Sequence, residues 1–173
     1  MKKILIYLLC AFSGLTLKAQ IPQPDPDTTA KHFLIVASIG NLQEAGAGQL
    51  AVQKAKNLEI KAFGQMMIKD HGEAEQKLSM LAESRRYSLP PAATGGIQPD
   101  LNLVNAGDKF DKLYVHDMLT GLGNAVQTFE AYAVNGKDQA VRSFAQQRLP
   151  ILKAHLAAAK ALNEKMKLIW ARP

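Results

Sequence analysis

Lys56-Asn57-Leu58-Glu59-Ile60-Lys61-Ala62-Phe63-Gly64-Gln65 and Lys137-Asp138-Gln139-Ala140-Val141-Arg142-Ser143-Phe144-Ala145-Gln146 agree, by identity or similarity, at eight of ten positions. Each copy stands at a break between two segments whose apolar residues recur every three or four positions, the spacing of one helix face. The chain therefore contains two copies of a helical hairpin. Before the first copy, Phe33, Ala37, Gly40, Glu44, Ala47 and Ala51 form one stripe, rich in small residues that let a neighbouring helix come close. After it come Ile60, Phe63, Met67, His71, Ala74, Leu78 and Leu81. Around the second copy the stripes are Phe110, Tyr114, Met118, Leu122, Ala125, Phe129 and Tyr132, then Val141, Ala145, Arg148, Leu152, His155, Ala159, Leu162 and Met166.

The predicted helices run over about residues 29–55, 58–86, 108–134 and 138–168, in one bundle domain at 29–170. Asp27, Thr28 and Thr29 offer N-caps, Asn135-Gly136 a C-terminal stop, and Pro150 should bend the last helix. Residues 87–106 carry Pro90, Pro91, Gly95, Gly96 and Pro99 and read as a connection. Twenty residues extend to roughly 66 Å, against ~42 Å for a 28-residue helix, so the connection can cross the whole bundle. Short turns within hairpins and one long crossover between them define an all-α, ferritin-like four-helix bundle.

Residues 1–19 read as a signal peptide: Lys2 and Lys3, the apolar run Ile4–Leu17, and Ala19 at the cleavage position. Ser13 and Gly14 interrupt that run, which disfavours a retained membrane anchor, and no transmembrane span is expected in the mature chain. Residues 20–28 form a mobile Pro-rich leader. The mature chain is expected to be exported. Cys10, the only cysteine, leaves with the signal, and Leu9 before it is too large for a lipobox. Disulfides, thiolate metal sites and cysteine nucleophiles are excluded with it. The formal charge of +6 includes Lys2, Lys3 and Lys18, so the mature chain would carry +3, spread along every helix. That pattern argues against a nucleic-acid partner.

Enzyme templates find little support. Gly-x-Ser-x-Gly and Cys-x-x-Cys-His are missing, and Gly46-Ala47-Gly48 lies in helical periodicity rather than after a strand. Di-metal bundles use Glu-x-x-His on each of two helices, and that motif is missing too. What chemistry there is should come from ionisable groups on the apolar stripes: Glu44, Asp70, His71, Arg148 and His155. Buried charges must pair or bind an ion. The favoured reading is a satisfied polar layer, in which Glu44 bonds His71 or His155 and Asp70 or Arg148 completes the set. The alternative is a single iron, zinc or manganese ion on Glu44, His71 and His155. A b-type haem between the two histidines is weaker. His32 and His116 read as ordinary surface residues, Met66, Met67 and Met118 as core filling, and Trp170 as a packing anchor for the last helix.

Gly40-Asn41-Leu42-Gln43-Glu44, Glu59-Ile60-Lys61-Ala62-Phe63, Met67, Asp70-His71 and Ser88-Leu89-Pro90 carry a resemblance that continues through Phe110-Asp111, Tyr114, Met118, Asn135-Gly136-Lys137-Asp138, Phe144, Leu149-Pro150 and His155-Leu156. Over about residues 30–165 the chain resembles the exported bacterial family called domain of unknown function 4142. The resemblance implies a ferritin-like bundle in the periplasm or at the outer membrane, with no settled activity. It also marks a departure, since the family usually has a histidine on the third helix where this chain has Leu122 between Gly121 and Gly123. His116 lies about 120° around the helix from Leu122 and is no simple replacement. The expected function is a non-enzymatic binding or envelope-associated protein whose partner is an envelope protein or a metal ion; the alternative is a single-metal binding protein or metalloenzyme.

Overall fold

In a computed structural model the described residues are 27–89 and 100–171. The signal, most of the leader and the Pro/Gly-rich middle of the connection lie outside them. Four long helices dominate: α1 (Asp27–Lys54), α2 (Leu58–Ser84), α4 (Phe110–Asn135) and α5 (Gln139–Trp170), with a four-residue α3 (Leu101–Val104) between α2 and α4. No strand occurs among the described residues. α1 is already helical at Asp27, and α4 is preceded by a 3-10 turn over Gly107–Lys109. The late part of the connection is thus more ordered than its composition suggests, because Asp100 caps α3 by accepting from Asn102 N.

The repeat marks equivalent turns. Asn57 accepts from the backbone N–H of Glu59 and Ile60 at the start of α2, and Asp138 accepts from Ala140 and Val141 at the start of α5. Each cap satisfies two donors that a helix start leaves open. Gly136 ends α4 with extended backbone, φ −60° and ψ 130°. It must be glycine for reasons of space, since a Cβ there would stand 2.4 Å from the Tyr132 ring. α5 continues through Pro150, which is exposed and leaves the core face undisturbed.

The described contacts fix the topology. The C-terminal end of α1 meets the N-terminal end of α4: Lys54 Nζ donates to Val104 O, and Asp111 accepts from the backbone N–H of Lys56 and Asn57. At its other end, Phe33 of α1 stacks on Tyr132 and meets Phe129 edge-on near the end of α4. α2 and α5 are likewise antiparallel, through a bidentate Arg85–Asp138 pair at one end and Lys165–Glu59 at the other. α2 therefore finishes at the end of the bundle opposite the start of α4, and the connection traverses its length.

Every position of the α5 stripe named above is buried, from Val141 to Met166, and the α2 stripe is buried except at half-buried Leu81. On α1 the register differs. The buried face is Ala30, Phe33, Leu34, Ala37, Ser38, Asn41, Glu44, Gly48 and Ala51, whereas Gly40 and Ala47 are half-buried at its edge. Close helix approach occurs at Gly48 and Gly64, where a Cβ on either would stand 2.7–2.8 Å from the other's carbonyl oxygen. Met67 and Met118 are buried as core filling, but Trp170 remains 37% exposed beside Lys56 and Asp108, so it is not a buried anchor.

Two glycine substitutions of opposite sign check this packing. Gly64→Ala forces two backbones apart, a cost of about 1–3 kcal/mol that outweighs the helix-propensity gain of roughly 1 kcal/mol. At Gly40 a Cβ meets nothing within 4 Å, so Gly40→Ala should keep that gain. Denaturant unfolding should show the first variant less stable than the parent and the second at least as stable.

Candidate functional site

Midway along the bundle, polar residues from four helices interrupt the apolar core. Burial makes their pairing obligatory, since an isolated charge in a dry interior is strongly disfavoured. His71, on α2, is fully buried, and its Nδ1 lies 3.0 Å from Glu44 Oε2 and 3.2 Å from Asn41 Oδ1 on α1. Both partners are acceptors, so Nδ1 carries the proton and, in the neutral ring, Nε2 keeps its lone pair. Asn41 is oriented by its own amide, whose Nδ2 donates to Glu75 Oε2 at 3.2 Å, while Ser38 Oγ donates to Glu75 Oε1 at 2.6 Å. A chain Ser38–Glu75–Asn41–His71–Glu44 thus fastens α1 to α2.

A second pair joins α2 to α5. His155 Nε2 donates to Asp70 Oδ2 at 2.9 Å, which leaves Nδ1 as the unprotonated nitrogen. Burial holds His155 below its ordinary pKa, and the charges of His71 and Arg148 act in the same direction, against the raising effect of Asp70. The neutral ring is favoured. The two imidazoles face each other with ring centroids 5.2 Å apart and planes tilted by 47°.

Arg148, one helical turn before Leu152, is also buried. Burial lowers its pKa against the opposing charges of Asp70, Glu44 and Glu73. Tyr114 is fully buried on α4, and its hydroxyl pKa is raised by burial first and by the Glu44 charge second. Four buried atoms without hydrogen-bond partners belong to this layer: His71 Nε2, His155 Nδ1, Tyr114 Oη and Arg148 Nη2. Buried polar atoms are normally satisfied, so such a concentration marks a place with unmet hydrogen-bonding capacity, and the two imidazole nitrogens in it are also potential ligands.

Of the five residues singled out from sequence, the structure joins Glu44 with His71 and Asp70 with His155, and it places Arg148 within the field of both carboxylates. Among the described residues no three His, Cys, Asp or Glu side chains group as a metal-holding set. Leu122 is buried in the apolar part of the core, and His32 and His116 are exposed. Asn41, Ser38, Glu75 and Tyr114 were not singled out as site residues. The signal that could have found Asn41 and Ser38 is their spacing in steps of three before Glu44, each step turning about 60° across the side of α1 that meets α2.

A groove of about 810 Å³ opens between α1 and α4. Gly40, Met118, Gly121 and Leu152 are among its lining residues, Asp100 and Asp117 contribute carboxylates, and Glu44 also lines it.

The family model of the domain of unknown function DUF4142 matches residues 16–162, and the chain belongs to that family. A search of curated proteins finds no match. Among solved structures the chain is similar to CopM in its Cu(I)-bound form (TM-score 0.67, 14% identity) and its Cu(II)-bound form (0.65, 16%), over 79% of this chain and 96% and 97% of those chains. CopM in an Ag-bound form gives a TM-score of 0.64 at 14% identity, over 79% of this chain and 95% of that one. At these identities the likeness establishes an all-α bundle fold.

Two outcomes follow from the polar layer. His71→Ala strands Glu44 and Asn41 without their shared donor and should lower unfolding free energy by about 1–3 kcal/mol in metal-free buffer. For His155 the folded pKa lies below the ordinary imidazole value of 6.5. As pH falls through about 6.5 the unfolded chain takes up a proton that the folded chain refuses, so stability falls. Melting curves from pH 7.5 to 5.5 should show a declining midpoint, and His155→Asn should flatten the decline.

Proposed function

For this member of the family we propose an exported, non-enzymatic binding protein whose buried histidine layer holds a single soft metal ion, Cu(I) or Ag(I), between His71 Nε2 and His155 Nδ1. The observation that carries this reading is the pair of unpartnered ring nitrogens on facing helices, each the far atom of an imidazole whose other nitrogen is hydrogen-bonded to a carboxylate. Metal-binding histidines almost always donate their second N–H to a carboxylate, a carbonyl or water, which fixes tautomer and orientation and raises basicity. In this reading Glu44 and Asp70 orient the ligands, and Arg148 offsets part of their charge.

Chemistry favours a monovalent ion over iron, zinc or manganese. Structural zinc takes four ligands and catalytic zinc three plus water, whereas closed-shell Cu(I) and Ag(I) are satisfied by two nitrogen donors. The fold shared with copper- and silver-bound CopM supports the reading. Export rests on the Lys2-Lys3 start, the Ile4–Leu17 apolar run and Ala19.

Purified mature protein, titrated with Ag(I) and with Cu(I) under reductant, should take up one ion per chain and melt at a higher temperature. At free ion one hundred times Kd the stabilisation should approach about 2.7 kcal/mol. A variant carrying both His71→Gln and His155→Gln should lose the uptake and the shift. Under about 0.1 ion per chain in the parent, or equal uptake by the double variant, would remove this reading.

A further inference from the structure

The groove between α1 and α4 ends against the polar layer: Asn41 and Glu44 line it, and His71, bonded to both, lies behind them. Glu44 belongs to both: its Oε2 accepts from His71 Nδ1, and the residue lines the groove opposite Gly121, whose Cβ, if present, would stand 3.5 Å from Glu44 Oε1. Leu152, one turn before His155 on α5, also lines the groove, so the opening penetrates past α1 and α4 to the far helix. Elsewhere α1 and α4 are sealed by Phe33, Phe129 and Tyr132 at one end and by the Asp111 and Lys54 bonds at the other.

The lining has one sign of charge. Asp100, Asp117 and Glu44 contribute carboxylates, and among the described residues no Lys, Arg or His lines it. Low-dielectric walls with charge of one sign concentrate the opposite ion. Met118, buried at the groove wall, adds a thioether, a ligand type that suits Cu(I). Gly40, Gly46 and Gly121 keep the walls low. A Cβ at Gly40 or Gly46 would meet nothing within 4 Å, so their missing side chains are space left open to the groove.

The geometry points to this groove as the entry route by which a soft monovalent cation reaches His71 and His155, with Asp100 and Asp117 as the outer capture carboxylates and Glu44 at the inner end. The inference rests on the metal-binding reading above and adds the path. Asp117 agrees with it: burial first, and the Asp100 charge second, raise its pKa, a cost that a captured cation would relieve.

The test separates rate from affinity. Gly40→Leu should fold at least as well as the parent, since helix propensity improves and the new side chain grows into open space. In stopped-flow mixing of the mature protein with Ag(I), read by intrinsic emission, Gly40→Leu should slow association about tenfold. Its equilibrium Kd should stay within about threefold, because dissociation slows in step. Asp117→Asn should also slow association and weaken its dependence on salt. Association rates unchanged in both variants, with the parent binding one ion, would overturn the route and leave the histidine site standing. A parent that binds no Ag(I) at all would overturn both. A Gly40→Leu variant with altered Kd and unaltered association would also count against the route, since it would place residue 40 at the bound ion and not on its path.

Discussion

A buried imidazole has to give its proton to something, and in this bundle the requirement at His71 organises the centre of the molecule. Glu44 and Asn41 meet it from α1, Glu75 and Ser38 hold Asn41 in place, and the chain of bonds runs from half-buried Glu75 to fully buried His71. Sliding α1 by a turn against α2 would leave a carboxylate and an imidazole both unpaired, at several kcal/mol. Apolar stripes tolerate such a slide far better. The polar layer thus fixes a register that the Gly48–Gly64 approach then exploits, since backbones can touch only where both glycines coincide.

The two hairpins share a plan without sharing a centre. With Asn57 and Asp138 aligned as equivalent caps, Asn41 and His71 of the first hairpin correspond to Leu122 and Leu152 of the second, both buried and apolar. Gly48 and Gly64 correspond to Phe129 and Ala145. The first hairpin is therefore closely apposed at two glycines and polar at Asn41 and His71, and the second carries larger or apolar side chains at the equivalent positions. His155 restores polarity to the second hairpin at a position that aligns with Ala74, so the paired histidines are not related by the duplication.

The fold was legible because periodicity and duplication are local properties of sequence. The α5 stripe held at all eight positions, and the two short turns fell where the repeat put them. The α1 stripe was harder: with many small residues on every side, its apolar pattern does not single out one face, and Gly40 and Ala47 belong to the groove edge while Asn41 and Gly48 turn inward. The candidate site was legible as a set of residues but not as a set of pairs. Whether Glu44 meets His71 or His155 depends on the axial register and on rotation at ~100° per residue, and both are settled by packing across helices. Asp70 and His71 are adjacent in sequence yet point to different neighbours, α5 and α1, for that reason. The α3 turn was missed because a four-residue helix has no period to detect.

Asp111 accepts the backbone N–H groups of the α1–α2 turn, and Arg85 at the end of α2 clasps Asp138, the cap of α5. Each hairpin thus braces the other's bend with a residue from its own open end. Neither half is finished alone: parted, the first would leave the amides of Lys56 and Asn57 without their carboxylate, and the second would leave Asp138 without its guanidinium.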